Sequence, residues 1–430
     1  MLNRKDFPSE MSNAALKKII TAKSVEFCAK DMKPFEIVAG EGFRSLIQHT
    51  WSLGAFYGNK DVGCILPHPT TISRNVSSIK EQKEQQILPV IENAIKNMEC
   101  SATTDMWTET HRQNHFLTMT SHYFDANLRL KRKVLFTAKF KAKIKSGRNI
   151  MGELKKRFKK MKFDPKLLRK VTFVTDQGSN MVKALKRPFK RINCRAHLLS
   201  TILRNTFSSD DLPLIILKTL TRCKKIVRYL KQSGKINELS KCVVQDCGTR
   251  WNYKLDMIKS VIDLYSEIIP LLTPTQRITW NIDIELGNEM ILFLQPFKDA
   301  CKSMEGDTYP TANKILLWYA ELSDHLNEDN FDRNLNENNS DEFELYMRTA
   351  DYSLYNNEND KKHLVELFWA ANQTRFPKLY NQVRKHLHVP ASSGSSERVF
   401  SDAGRTMEPR RTNLQPDVLD DLLFIRDHFH

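Results

Sequence analysis

The chain has 430 residues, 40% of them hydrophobic, which is enough for a full core divided among two or three subdomains and excludes a small module held together by staples. A formal net charge of +17 asks for an anionic partner such as DNA, RNA or an acidic membrane surface, with phosphate backbone the first expectation. No apolar run approaches the roughly 20 residues that cross a bilayer, and eight unevenly spaced cysteines behind a polar start are expected to be free thiols in a reducing compartment. Neither a membrane nor a small-molecule substrate is therefore an expected partner.

In chain order, residues 1–98 are predicted as a helical region. Helices are expected over Asn13–Lys30, Gly40–Ser52 and Ser78–Met98, with a Gly- and Pro-punctuated loop from Gly54 to Pro69. From 99 to 204 the pattern turns to short β-rich runs, His115–Phe124, Lys133–Phe140 and Val171–Thr175, alternating with helices at Arg148–Lys162 and Asn180–Lys186. That order predicts an α/β segment with a mixed sheet. From 205 to 360 the periodicity is helical, at Leu214–Gln232, Lys254–Leu272, Ile284–Met304 and Thr311–Leu326, followed by an acidic, Asn-rich loop at Asn327–Glu342. The last part, 361–430, holds two more helical patterns around a turn-forming cluster at Pro390–Ser396.

Charge is concentrated in one place. Arg129–Lys170 carries 18 Lys or Arg against two acids, leaving the rest of the chain nearly neutral. Such a block can hold a polyanion by releasing its counterions, or it can be the solvated face of a helix and strand edge. Within it Lys155, Lys156, Arg157, Lys159 and Lys160 are the candidate DNA contacts and a weak nuclear-import signal.

Three acids could carry chemistry. Asp105 lies in Ser101-Ala-Thr-Thr-Asp-Met-Trp-Thr108. Asp176 follows the apolar run Val171-Thr-Phe-Val-Thr175, a pattern that delivers a carboxylate to the C-terminal edge of a sheet. Glu397 opens the final helix. Taken singly, each aspartate is more readily a cap or turn residue than a ligand, and Glu397 too reads as a capping acid. No Cys-x2-Cys pair occurs, so the chain carries no zinc finger of the usual spacing, and Cys194-x2-His197 with Cys242 and Cys247 makes only a poor zinc half-site.

Ala391-Ser-Ser-Gly-Ser-Ser-Glu-Arg-Val-Phe-Ser-Asp-Ala-Gly404, with Arg410-Arg-Thr-Asn-Leu-Gln-Pro416 and Val418-Leu-Asp-Asp-Leu-Leu-Phe-Ile425, resembles the C-terminal region of hAT transposases. Thr103-Thr-Asp-Met-Trp-Thr108, Asp176-Gln-Gly-Ser-Asn-Met181, Cys194-Arg-Ala-His197 and Gly248-Thr-Arg-Trp-Asn252 agree with the family in the same order. The likeness extends to Lys30–Phe35, Gly40–Phe43 and Pro69–Ser73, and so covers most of the chain.

The resemblance implies a ribonuclease H-like mixed sheet interrupted by an all-helical insertion, behind an N-terminal helical region. It implies a catalytic triad of Asp105, Asp176 and Glu397 holding two Mg²⁺ (or Mn²⁺) ions about 3.5–4 Å apart, with His197 beside it at the scissile strand. Arg250 and Arg398 become candidate phosphate contacts. Trp251 could stack on an extruded base or serve as a core tryptophan. Leu419, Leu422, Leu423 and Phe424 become the candidate dimerisation face. Two functions stay open: a nuclear, homodimeric strand transferase on double-stranded DNA, and a domesticated, catalytically silent regulator that only binds DNA and dimerises. In the family a BED-type finger commonly helps to recognise DNA ends, and its absence from this chain weighs toward the second.

Overall fold

A computed structural model describes residues 12–58, 60–109, 112–208, 212–247, 251–326, 364–407 and 414–429. Arg250 and the expected Asn-rich loop at Asn327–Glu342 lie outside the described residues, as do Gly248, Thr249 and Arg410–Asn413 of the motifs. The chain forms two compact units, residues 1–75 and 76–430.

The first unit is helical. Helix α1 (Asn13–Lys30) starts where the Ser12 side chain accepts the Ala15 N–H, a side-chain cap on an otherwise orphan donor. Helix α2 (Glu41–Tyr57) follows, then the single turn α3 (Val62–Ile65). The expected loop from Gly54 is thus partly helical. Helix α4 (Pro69–Lys96) begins nine residues earlier than predicted, because Pro69 suits a first turn whose N–H groups have no helical partner.

The division between units falls inside the region read as 1–98. From Val76 onward α4 presents Leu88, Ile91, Ala94 and Ile95 to the core of the second unit. These positions recur at helical spacing and bury one stripe.

That core is built on a five-stranded sheet in the order β3-β2-β1-β4-β5. Strands β1 (Cys100–Thr108), β2 (His115–Phe124) and β3 (Leu130–Lys139) form an antiparallel meander; β4 (Thr172–Thr175) and β5 (Lys190–Asn193) add parallel to β1. The mixed α/β architecture agrees with the expectation. Strands β1 and β5 are two more than the three β-rich runs that the pattern revealed.

Helix α5 (Gly147–Lys160) packs Ile150, Met151, Leu154 and Phe158 into the core and leaves Lys155, Lys156, Lys159 and Lys160 outside. Helix α6 (Ser179–Ala184) crosses it at Gly147, where an added Cβ would meet Ala184 N at 2.7 Å and the Lys183 carbonyl carbon at 2.8 Å. Backbone cannot yield as a side-chain tip can. Gly147→Ala is therefore expected to cost about 1–3 kcal/mol, read as a lower urea midpoint with an unchanged m-value.

Helix α7 (Arg195–Thr206) leads from β5 into a helical layer: α8 (Leu214–Gln232), α9 (Asn252–Asp263), α10 (Tyr265–Leu271), α11 (Pro274–Thr279), α12 (Ile284–Met304) and α13 (Lys314–Leu326). Leu220, Cys223, Ile226, Val227 and Leu230 of α8 meet Met257, Ile258 and Val261 of α9 in a core of their own. The pattern over Lys254–Leu272 reads as one helix and is two, broken at Leu264.

After residue 363 come α14 (Leu364–Asn372), α15 (Pro377–His386), α16 (Gly394–Thr406) and α17 (Pro416–His428). Helix α17 lies along the edge strand β3. Asp427 accepts the Val134 N–H at 2.7 Å and Asp420 the Thr137 N–H at 2.6 Å, so two carboxylates satisfy edge groups that would otherwise be open to another chain.

Candidate functional site

Sheet topology brings the two aspartates together. Parallel β1 and β4 pair Thr103 with Val174; carried on by two residues, that register sets Asp105 of β1 opposite Asp176, which follows the end of β4. The charge of Asp176 accordingly acts on the Asp105 carboxyl.

Glu397 arrives from the first turn of α16, and its neighbours fix it there. The Ser396 hydroxyl bonds Thr103 Oγ1 at 2.8 Å, two residues before Asp105, and Phe400 stacks on Trp107, two residues after it, with centroids 5.9 Å apart. The helix is thus held to β1 on either side of the aspartate. The approach is hydrogen-bonded from behind as well: the Cys194 N–H donates to Thr175 O, the Arg195 N–H to Ala391 O and the Ser393 N–H to Cys194 Sγ. Cys194 is accordingly a buried packing residue, while Cys242 and Cys247 are exposed.

Asp105, Glu397 and His197 line one cleft of about 570 Å³, with Trp107, Phe400, Asn252, Glu305 and the Ser200, Thr201 and Arg204 side chains of α7. Burial pushes the Asp105 carboxyl up to about 7 against the Met106 N–H it accepts, and the charges of Asp176 and Glu397 push the same way. Among the described residues no lysine or arginine pairs with Asp105. Asp105, with two further acids acting on it, is therefore left with an unmet demand for positive charge.

Hard carboxylate oxygens in that state suit Mg²⁺ or Mn²⁺. Among the described residues no three His, Cys, Asp or Glu side chains close on one point as a ligand cage would. Mg²⁺ does not need such a cage, since one or two carboxylates, water and substrate phosphates commonly complete its shell. The donor set fits a divalent cation on its chemistry.

Several other candidates stand elsewhere. Trp251 is 2% exposed, packed with Leu203, Leu255, Leu294, Phe297 and Cys301, so its ring face is not open to a base; the core alternative describes it. Arg157 is buried against Glu153 and Asp420, and is no phosphate contact although its four lysine neighbours are exposed. Arg398 is committed to Asp307 (2.8 Å) and the Glu305 carbonyl oxygen (2.8 Å).

The candidate dimerisation residues need the largest correction. Leu419 and Leu423 pack with Phe116, Val134, Val399 and Phe400, and Phe424 is fully buried beside His428; Leu422 is half-buried. The apolar run of α17 is intramolecular because the open face of β3 and α16 takes it. Combining Leu422→Asp with Leu423→Asp is therefore expected to give unfolded or aggregated protein instead of soluble monomers, as read by size exclusion and near-UV circular dichroism.

Three further buried groups set a pH limit on the fold. Burial drives the His122 imidazole down to about 3 and His388 down to about 4, and lowers His428 too. Folded values below the unfolded one mean that their contribution is intact above about pH 6.5 and is lost as pH falls toward 4, by about 1.4 kcal/mol per histidine per unit. Asp105, shifted the other way, offsets about one of the three. The urea midpoint is expected to drop clearly between pH 7 and pH 5; an unchanged midpoint would show the imidazoles to be solvated.

Three stretches of the chain match known domain families. Residues 11–71 match the Hermes transposase DNA-binding domain, 103–200 the ZBED1 RNase-like domain and 342–429 the hAT family C-terminal dimerisation region. The Hobo transposase of Drosophila melanogaster is 35% identical over 257 residues, 60% of this chain and 39% of that protein. These matches make the chain similar to hAT transposases. Two maize relatives, a putative AC transposase and a putative AC9 transposase, are 27% and 30% identical over 153 residues, 29% of this chain and 19% and 18% of theirs. The chain thus spans well under half the length of the curated relatives it matches. No described helix is long and apolar enough to cross a membrane.

Sequence reasoning missed Ser200, Thr201, Arg204 and Asn252. The signal for the first three is in the sequence: with His197 they recur at i, i+3, i+4 and i+7, a polar stripe on a helix whose other face holds Leu199 and Leu203.

Proposed function

We propose that this chain is the body of an hAT-type transposase that acts on double-stranded DNA in the nucleus as a homodimer, cutting and joining strands at Asp105, Asp176 and Glu397. In this reading residues 99–204 and 361–430 form a ribonuclease H-like core, 205–360 a helical insertion and 1–98 an N-terminal helical region. The strand order and the RNase-like match to residues 103–200 support the fold. The DNA-binding and dimerisation-region matches support the partners.

One observation carries the chemistry: Asp105 on β1 feels the charges of Asp176, just past the adjacent parallel strand β4, and of Glu397, whose helix is tied to β1 through Ser396 and Thr103. Bound divalent cations would supply Lewis-acid activation of an attacking water or 3′ hydroxyl and relief of charge on the leaving oxygen. The protein's part is to hold the acids. Asp105 is oriented by the Met106 N–H, Asp176 accepts the Gly178 N–H at 3.1 Å, and Glu397 rides on an anchored helix turn. His197, at the cleft wall one turn from Cys194, is positioned to contact the strand being cut. The exposed lysines of α5 supply sequence-independent affinity.

Nicking and end joining of supercoiled plasmid in Mn²⁺ tests the reading. Activity lost in Glu397→Gln is the expected result. An inactive wild type that still binds DNA in a salt-sensitive way would identify a silent regulator instead.

A further inference from the structure

The α7 wall of the cleft holds polar groups that the three carboxylates do not use. Arg204 is exposed at this wall, and among the described residues no carboxylate pairs with it, although Asp105, Glu305 and Glu397 line the same cleft. Asn252 Oδ1 is buried without a hydrogen-bond partner, and Ser200 and Thr201 fill the stripe between His197 and Arg204. An unpaired guanidinium facing an acidic cleft and an orphan buried acceptor both await a ligand with anionic and donor groups.

Resting on the transposase reading, the geometry points to this stripe as the track for the backbone of one unpaired nucleic-acid strand, with Arg204 holding a phosphate beyond the one at the carboxylates. A rise of 1.5 Å per residue puts Arg204 about 10 Å along the helix from His197, so it contacts a neighbouring nucleotide and is a positioning residue. The cleft falls in the roughly 300–1,000 Å³ range that encloses a small ligand. That volume suits a nucleotide or two of single strand. Asn252 Oδ1 can accept from a base amino group there. Double-stranded DNA would be held elsewhere, by Lys155, Lys156, Lys159 and Lys160 on the outer face of α5.

The test is the salt dependence of binding by the full chain, read by fluorescence anisotropy, on a blunt duplex and on the same duplex with a single-stranded 3′ tail. Arg204→Ala is expected to weaken tailed-duplex binding about five- to tenfold and reduce its log–log salt slope by about 0.7, one single-strand phosphate contact. Its blunt-duplex slope stays at the wild-type value. Combined Lys155→Ala and Lys156→Ala is expected to lower the blunt-duplex slope. Arg204 is exposed, so an unchanged thermal melt accompanies the substitution. Wild-type slopes on both ligands in Arg204→Ala, or an equal fall on both, overturns the track. A wild type that binds neither ligand overturns the transposase reading with it, a result distinct from either of the others.

Discussion

Asp105→Asn is expected to make the protein more stable, not less, in metal-free buffer at pH 8. The folded carboxyl ionises near 7, against about 3.9 in an unfolded chain, because it is desolvated and faces Asp176 and Glu397. A raised folded value favours the protonated form, so the group's contribution is complete below pH 4 and is lost as pH rises through 7. At pH 8 the wild type bears the cost of a charged, crowded carboxylate that the amide lacks. The full shift corresponds to about 4 kcal/mol; because the side chain is partly open to the cleft, a gain of about 1–3 kcal/mol is expected. Urea unfolding of both proteins at pH 8 and pH 4 reads it. The variant should lead at pH 8 and lose that lead at pH 4, and a variant less stable at pH 8 would mean that Asp105 is held by groups other than those around it here. Sites that sacrifice stability for function behave in this way.

The second large effect lies in the second turn of α17, at the edge of the sheet. Asp420 is 2% exposed and accepts the Thr137 N–H while facing Arg157 (3.6 Å) and Lys80 (3.5 Å); Asp421 bonds Lys80 at 2.8 Å and the Ser77 hydroxyl at 2.8 Å. Burial alone would lower the Lys80 pKa, but Asp420 and Asp421 outweigh it and the net shift is upward. Removing one partner of such a network strands the rest. Asp420→Ala is expected to cost about 3–5 kcal/mol, whereas Asp420→Asn, which keeps an acceptor for Thr137, should cost distinctly less. Equal losses in the two variants would show that the charge, and not the edge hydrogen bond, is what matters.

Where apolar spacing decides structure, the sequence was readable: α1, α8 and α12 have the expected bounds, as does β2. Strand β1 escaped because it is written in Ser and Thr. Its hydroxyls are buried and paired, Thr104 with Thr118 O and Ser101 with His388 O, so a polar sequence runs through the middle of a sheet. Strand β5, Lys190–Asn193, is four mostly polar residues that join only because β4 offers an edge. The acids could be named but not assembled. Only the Ser396–Thr103 bond, between residues 293 apart in sequence, brings Glu397 to the cleft of Asp105, and only the parallel register of β1 with β4 brings Asp176 near enough for its charge to act on Asp105. Helix α17 was misread because an apolar stripe looks the same whether it meets another subunit or its own sheet. The deciding signal was polar: Asp420 and Asp427, seven residues apart and so on one face, were there to meet the N–H groups of β3.

The most direct measurement is Mn²⁺ binding by the full chain, followed by calorimetry at pH 7.5 for the wild type and for Asp105→Asn, Asp176→Asn and Glu397→Gln. If two strands and a late helix build one cation site, each substitution alone weakens binding tenfold or more. Binding that survives any one of the three substitutions unchanged would contradict that account.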